Sequence, residues 1–160
     1  MLTQTTITAM QMLACLALRG DAEPVPPRQI ARHLRASPSY LAKIASMLVK
    51  AGLLSVRHGA HGGVALRRPP DSITLYDVYV ACKGRIRCDF CLPNGACRPL
   101  CEFHQVMEEL HQGLAETLRR HTLWDIAVKS PRRPVVGVPD FCKMDAANAA
   151  ARALDVKTGP

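Results

Sequence analysis

A mainly α-helical fold with one small β-hairpin is predicted for this chain by three features of its sequence. Apolar residues recur at helical spacing over residues 5–18 and again over 102–120. Two shorter helix signals, each with a proline at its start, lie between residues 27 and 50. Two β-prone runs, LLSVR and VALRR, flank the glycine-rich stretch HGAHGG.

The first helix is expected to be amphipathic, with Ile7, Met10, Leu13, Ala14 and Ala17 on its inner face and Cys15 a small buried hydrophobe. The proline-rich DAEPVPP should stop it as a loop. Pro27 then opens a short second helix, RQIARHL, with Ile30 and Leu34 on one face. Ser37 is a good N-cap and Pro38 a good first helical residue for a third helix. Leu41, Ile44 and Leu48 form the inner face of that helix, and Gly52 supplies a left-handed stop. The hairpin follows and ends at Pro69-Pro70. Residues 73–82, ITLYDVYVAC, predict a fourth helix. Along 102–120, Phe103, Val106, Met107, Leu110, Leu114 and Leu118 make one apolar stripe, and TLWDIA a short final turn. Residues 130–160 are rich in proline, alanine and basic side chains and are expected to be a flexible tail.

The chain has 160 residues, 48% of them hydrophobic, enough for a core of its own. Three Phe, three Tyr and one Trp leave that core to aliphatic side chains and Met. The formal charge of +8 favours a polyanionic partner, nucleic acid first. No signal peptide and no apolar run near the ~20 residues of a membrane span is visible, so a cytoplasmic protein with no membrane partner is expected. No acid–base pair, nucleophile elbow or phosphate loop suggests an enzyme.

Three short helices followed by a hairpin are the parts of a winged helix-turn-helix, whose third helix enters the major groove of double-stranded DNA with its N-terminus leading. Ser37, Ser39, Tyr40 and Lys43 stand at that N-terminus and are able to reach base edges or phosphates. Arg28, Lys50 and Arg57 surround them, with His58 and His61 in the cationic hairpin tip. The bland alternative is a helical domain that binds protein, its basic residues merely solvated.

Four of the seven cysteines fall within CDFCLPNGACRPLC, at Cys88, Cys91, Cys97 and Cys101. In a cytoplasmic protein such a group more often binds metal or senses redox state than forms disulfides. Thiolates are soft ligands that suit iron–sulfur clusters and zinc, and four can hold a [4Fe–4S] or [2Fe–2S] cluster or close a tetrahedral zinc site. Pro93, Asn94-Gly95 and Pro99 allow the chain to turn around a centre, and Arg85, Arg87 and Arg98 would offset thiolate charge. A thiol–disulfide switch without metal stays open beside both. A small electron-transfer protein is a further alternative, but the chain has one cysteine group and a reader helix.

Several stretches together resemble the Rrf-two-type family of bacterial regulators, the group of the IscR-, NsrR- and RirA-like sensors. They are LTQTT, SPSYLAKIASMLVKAGLL, HGAHGGVALRRP, ITLYDV, the cysteine group and TLWDI, and the resemblance covers residues 2–128. It implies a homodimeric winged-helix transcription factor, commonly a repressor, with a long C-terminal dimerisation helix and a cluster that tunes operator binding in response to nitric oxide, redox state or iron supply. It also implies a division into a DNA-binding domain (1–82), a cysteine-rich cluster loop (83–101) and a dimerisation helix (102–129), ahead of the tail (130–160). Family members typically supply three loop cysteines plus a ligand from elsewhere. The Cys-x2-His of CEFH matches Cys101 and makes His104 the alternate ligand, while Cys91 and Cys97 keep the family's five-residue gap. Cys88 is an added thiol, and Ile7 stands where some members carry a ligating acid, so Cys88 is expected to replace it. The wing departs from the usual RGPKGGY at His58, Ala60 and Val64, and the fourth helix ends ACKG rather than AVEG.

Overall fold

The computed structural model describes residues 2–19, 23–59, 62–86 and 102–127. Six α-helices and one hairpin are assigned among them: α1 Gln4–Arg19, α2 Pro27–His33, α3 Pro38–Lys50, β1 Leu54–Arg57, β2 Gly63–Leu66, α4 Leu75–Lys83, α5 Glu102–Arg120 and α6 Leu123–Ala127. A single 3-10 turn, Pro70–Ser72, joins β2 to α4. The expected tail, Cys142 within it and the four clustered cysteines lie outside the described residues.

Helix α1 is the axis of the molecule, packed against α3, α4, α6 and β2. An amphipathic helix with one inner face was expected, but every residue from Thr8 to Ala17 is buried. The sequence permits this because Ala9, Ala14, Cys15 and Ala17 are small enough for neighbours to approach from several sides. Met12 and Leu13 are fully enclosed, each gaining roughly 1.5–3 kcal/mol from leaving water. The buried hydroxyls of its first turns are satisfied locally: Thr8 Oγ1 donates to the Gln4 carbonyl at 2.9 Å, and the Thr6 and Thr3 hydroxyls share a hydrogen bond at 3.2 Å.

Helices α2 and α3 form the helix-turn-helix. Pro27 begins α2, and Ile30 and Ala31 face the core. The turn requires Arg35 at φ 52°, a left-handed conformation rare for a residue with a side chain. Ser37 then caps α3, its hydroxyl accepting from the Tyr40 N–H at 3.2 Å, with Pro38 in the first turn. Leu41, Ile44 and Leu48 are fully buried, and Gly52 reverses the chain at φ 73°.

The wing pairs antiparallel in the register Leu54 to Leu66 and Arg57 to Gly63. It has a third participant that the sequence had suggested was only loop. Val25, from the segment between α1 and α2, exchanges two 2.9 Å hydrogen bonds with Val64. The backbone at Val25 therefore lies so close to Gly63 that any side chain there would collide with the Val25 carbonyl.

Helices α4 and α6 both begin with a reciprocal Thr–Asp cap. Thr74 accepts from the Asp77 N–H at 3.1 Å while Asp77 accepts from the Thr74 N–H. Thr122 and Asp125 repeat the pattern. The two caps are themselves bridged, with Leu75 N–H to the His121 carbonyl at 2.9 Å and Leu123 N–H to Ile73 at 2.8 Å. At the same end Arg119 of α5 stacks over the Tyr76 ring, 4.1 Å from its centroid. Because Tyr76 is near the start of α4 and Arg119 near the end of α5, these two packed helices run antiparallel.

Candidate nucleic-acid interface and the flanks of the cysteine segment

At the leading end of α3, Ser37, Ser39 and Lys43 are exposed, as is Arg28 on α2. The Ser37 hydroxyl is engaged as the cap and lies 3.4 Å from that of Ser39. Tyr40 differs from its neighbours. It is half-buried, and its hydroxyl donates to Thr5 Oγ1 at 3.2 Å, tying the reader helix to the start of α1. The phenol therefore helps to fix the tilt of α3 against α1. Changing Tyr40 to Phe should lower stability by about 1 kcal/mol, the worth of one part-buried hydrogen bond. Thermal unfolding measures that loss. A variant of unchanged melting temperature but reduced operator specificity would instead make the hydroxyl a base contact.

Arg57 and His58 are exposed at the end of β1, beside Gly59 at φ 109°. His61 lies outside the described residues. Lys50 is exposed but stands at the opposite end of α3 from Ser37, ~20 Å away at 1.5 Å per residue. The structure thus sets Ser37, Ser39, Tyr40 and Lys43 in the first half of α3, leaves Arg28 at the start of α2, and puts Lys50 at the far end of α3.

Cys88, Cys91, Cys97 and Cys101 also lie outside the described residues, and among the described ones no three His, Cys, Asp or Glu side chains gather as a metal site. The flanks are defined. Helix α4 ends at Lys83, followed by Gly84 at φ 81°, and α5 starts at Glu102. His104, in the first turn of α5, is only 2% exposed. Cys82 is half-buried, and burial pushes its thiol pKa up, which disfavours the thiolate a metal needs. Cys15 is fully buried in α1.

Residues 2–129 match the family model described as Rrf2, iron-dependent transcriptional regulator. The chain belongs to the Rrf2 family. Its relatives in that family are transcriptional regulators rather than enzymes. YwgB of Bacillus subtilis, an HTH-type regulator, is 52% identical over 77 residues, a match spanning 48% of this chain and 49% of YwgB. The HTH-type transcriptional regulator IscR of Salmonella agona is 30% identical over 149 residues, covering 92% of this chain and 90% of that protein. Among solved structures, CymR, the global cysteine regulator of B. subtilis, superposes with a TM-score of 0.69 at 25% identity, over 82% of this chain and 98% of CymR. The winged helix-turn-helix predicted from the sequence is therefore the fold of this Rrf2 protein, and transcriptional regulation its activity. No helix among the described residues is long and apolar enough to cross a membrane.

The Tyr40–Thr5 bond and the Val25 pairing of the wing are two features of this Rrf2 fold that sequence reasoning missed. Both join residues far apart in the chain, and neither leaves a local pattern. The two Thr-x-x-Asp caps did carry a signal, in TLYD and TLWD.

Proposed function

We propose that this chain is a homodimeric, cytoplasmic transcription factor, most simply a repressor, whose operator binding is set by an iron–sulfur cluster held on Cys88, Cys91, Cys97 and Cys101. The observation that carries it is the placement of four thiols within fourteen residues, between α4 and α5, in a family described as iron-dependent. The donor set suits the group: soft thiolates, with Arg87 and Arg98 to offset their charge. When bound, the cluster supplies a centre that reacts with nitric oxide or oxidants and answers to iron supply. The chain's own residues do the rest. Phe103, Val106 and Leu110 are 62%, 51% and 60% exposed on α5 and would be covered by a second copy. Two reader heads then face a pseudo-palindromic operator, with half-sites about one helical turn or a multiple of it apart. In this division, residues 1–82 read DNA, 83–101 sense and 102–129 dimerise.

A second reading has its own support. The likeness to CymR, a thiol-based regulator, favours a thiol–disulfide switch without metal at the same four residues; structural zinc is the remaining occupant of such a set. Anaerobic purification with a visible spectrum and iron, sulfide and zinc counts separates the three. Iron and sulfide in stoichiometric amounts support the cluster, and a colourless protein overturns it.

DNA contacts divide by role. Lys43, exposed at the leading end of α3, is assigned to base edges, and Arg57 on the wing to phosphate or groove width. Lys43→Ala should weaken operator binding by about 1–3 kcal/mol with little effect on random DNA, whereas Arg57→Ala should weaken both and lower the salt slope by about one. Competition binding at several salt concentrations checks this, and equal behaviour of the two variants would refute the division.

A further inference from the structure

At the end of α3 farthest from Ser37 lies an open groove of about 580 Å³, between that helix, the entry to β1 and one face of α4. Its floor is apolar, from Met47, Leu53 and Val80. Its rim carries three cations, Lys50, Arg68 and Arg85, and one acid, Asp77. Arg68 and Asp77 answer one another: Arg68 Nη1 is 3.6 Å from Asp77 Oδ2, and the guanidinium also donates to the Ser72 carbonyl. Lys50 and Arg85 have no such partner among the described residues, so the groove keeps an excess of two positive charges.

The groove's size falls within the ~300–1,000 Å³ typical of small-molecule sites, and a few convergent charges over an apolar floor is how such sites select ligands. We propose that it binds a small organic anion, a carboxylate- or phosphate-headed molecule with a short apolar tail. Lys50 and Arg85 attract the head, and Met47, Leu53 and Val80 take the tail. A DNA phosphate track is the competing use of these cations, but a sugar-phosphate strand has nothing to gain from the apolar floor. Lys50 is the last residue of the reader helix, and Arg85 leads from α4 toward the cysteine segment. An occupant therefore touches both the helix that meets DNA and the stem of the sensing segment, a chemical input separate from any held on the cysteines.

Ligand-observed saturation-transfer NMR on the full-length protein tests this with three probes of one tail length: heptanoate, hexyl phosphate and hexylamine. At least one anion should bind saturably while the amine does not, and which anion binds names the head group. The Lys50→Gln/Arg85→Gln double variant should raise the dissociation constant about tenfold, the loss of two charge-assisted contacts in an open site. Both side chains are exposed, so the variant should fold, as circular dichroism would confirm. The proposal is overturned if neither anion saturates, if the amine binds as well as the anions, or if the double variant binds the anions unchanged. A double variant that loses two units of salt slope on random DNA while its anion binding is unaltered would assign the cations to a phosphate track instead. The readout involves neither operator nor cluster, so its failure leaves the proposed regulatory role standing, and the reverse also holds.

Discussion

Replacing any one of Cys88, Cys91, Cys97 or Cys101 with alanine is expected to abolish or bleach the visible absorption of the anaerobically purified protein, with loss of iron and sulfide in proportion. Four thiols are the minimum set for an all-cysteine site, so each removal opens a coordination position rather than weakening one contact among many. Cys15→Ala, Cys82→Ala and Cys142→Ala should leave the spectrum unchanged. Cys15 is sealed inside α1, and Cys82 is held toward its neutral thiol by burial. His104 provides the discriminating comparison. It is buried in the first turn of α5, so His104→Gln should lower thermal stability through packing while iron per protein stays the same. A full cluster in Cys88→Ala together with its loss in His104→Gln would make the site three cysteines and a histidine, and would remove Cys88 from the ligand set.

Leu110→Glu should convert the proposed dimer to a monomer without unfolding it. Leu110 is 60% exposed on the single chain, so a carboxylate there remains solvated and the fold is spared. In a two-fold interface the same residue meets its own copy's surface, and each of two uncompensated carboxylates would cost about 3 kcal/mol. Two such costs weaken association about 10⁴-fold. Light scattering at micromolar concentration should report monomers, and operator affinity should fall with it, because the two half-sites are no longer engaged together. Random-DNA binding per head should change little. A variant that stays dimeric and binds its operator normally would place the interface elsewhere than on the stripe of Phe103, Val106 and Leu110.

Local chemistry made most of the fold legible before any coordinates. Ser37-Pro38 and Gly52 bound α3 because capping and left-handed stops depend on a few adjacent residues. The hairpin was visible for the same reason. Features that depend on distant partners were not visible. Val25 sits in DAEPVPP, a stretch whose prolines indicate loop, and becomes strand-like only because Val64 arrives beside it. Helix α1 shows apolar spacing on one face, yet α3, α4, α6 and β2 enclose it, a fact of topology rather than of period. Arg35 gave no hint of its left-handed backbone, since glycine or asparagine is the usual occupant of such a turn. At the candidate site, residue type was enough to nominate Lys43 and Arg57. It was not enough to see that the Tyr40 hydroxyl belongs to Thr5, or that Lys50 lines a separate groove.

The antiparallel pair α4–α5 is closed at the end remote from the cysteines, by Arg119 on Tyr76 and by the bridged caps at Thr74 and Thr122. Nothing in that closure draws on residues 87–101. The entropy of joining two fixed ends grows only slowly with the length of the connection, by about 0.6 kcal/mol for each doubling. A change in the number or spacing of residues within 87–101 therefore costs the stability of the rest of the scaffold little. A chain built this way can exchange the segment between α4 and α5 while the winged helix is inherited intact.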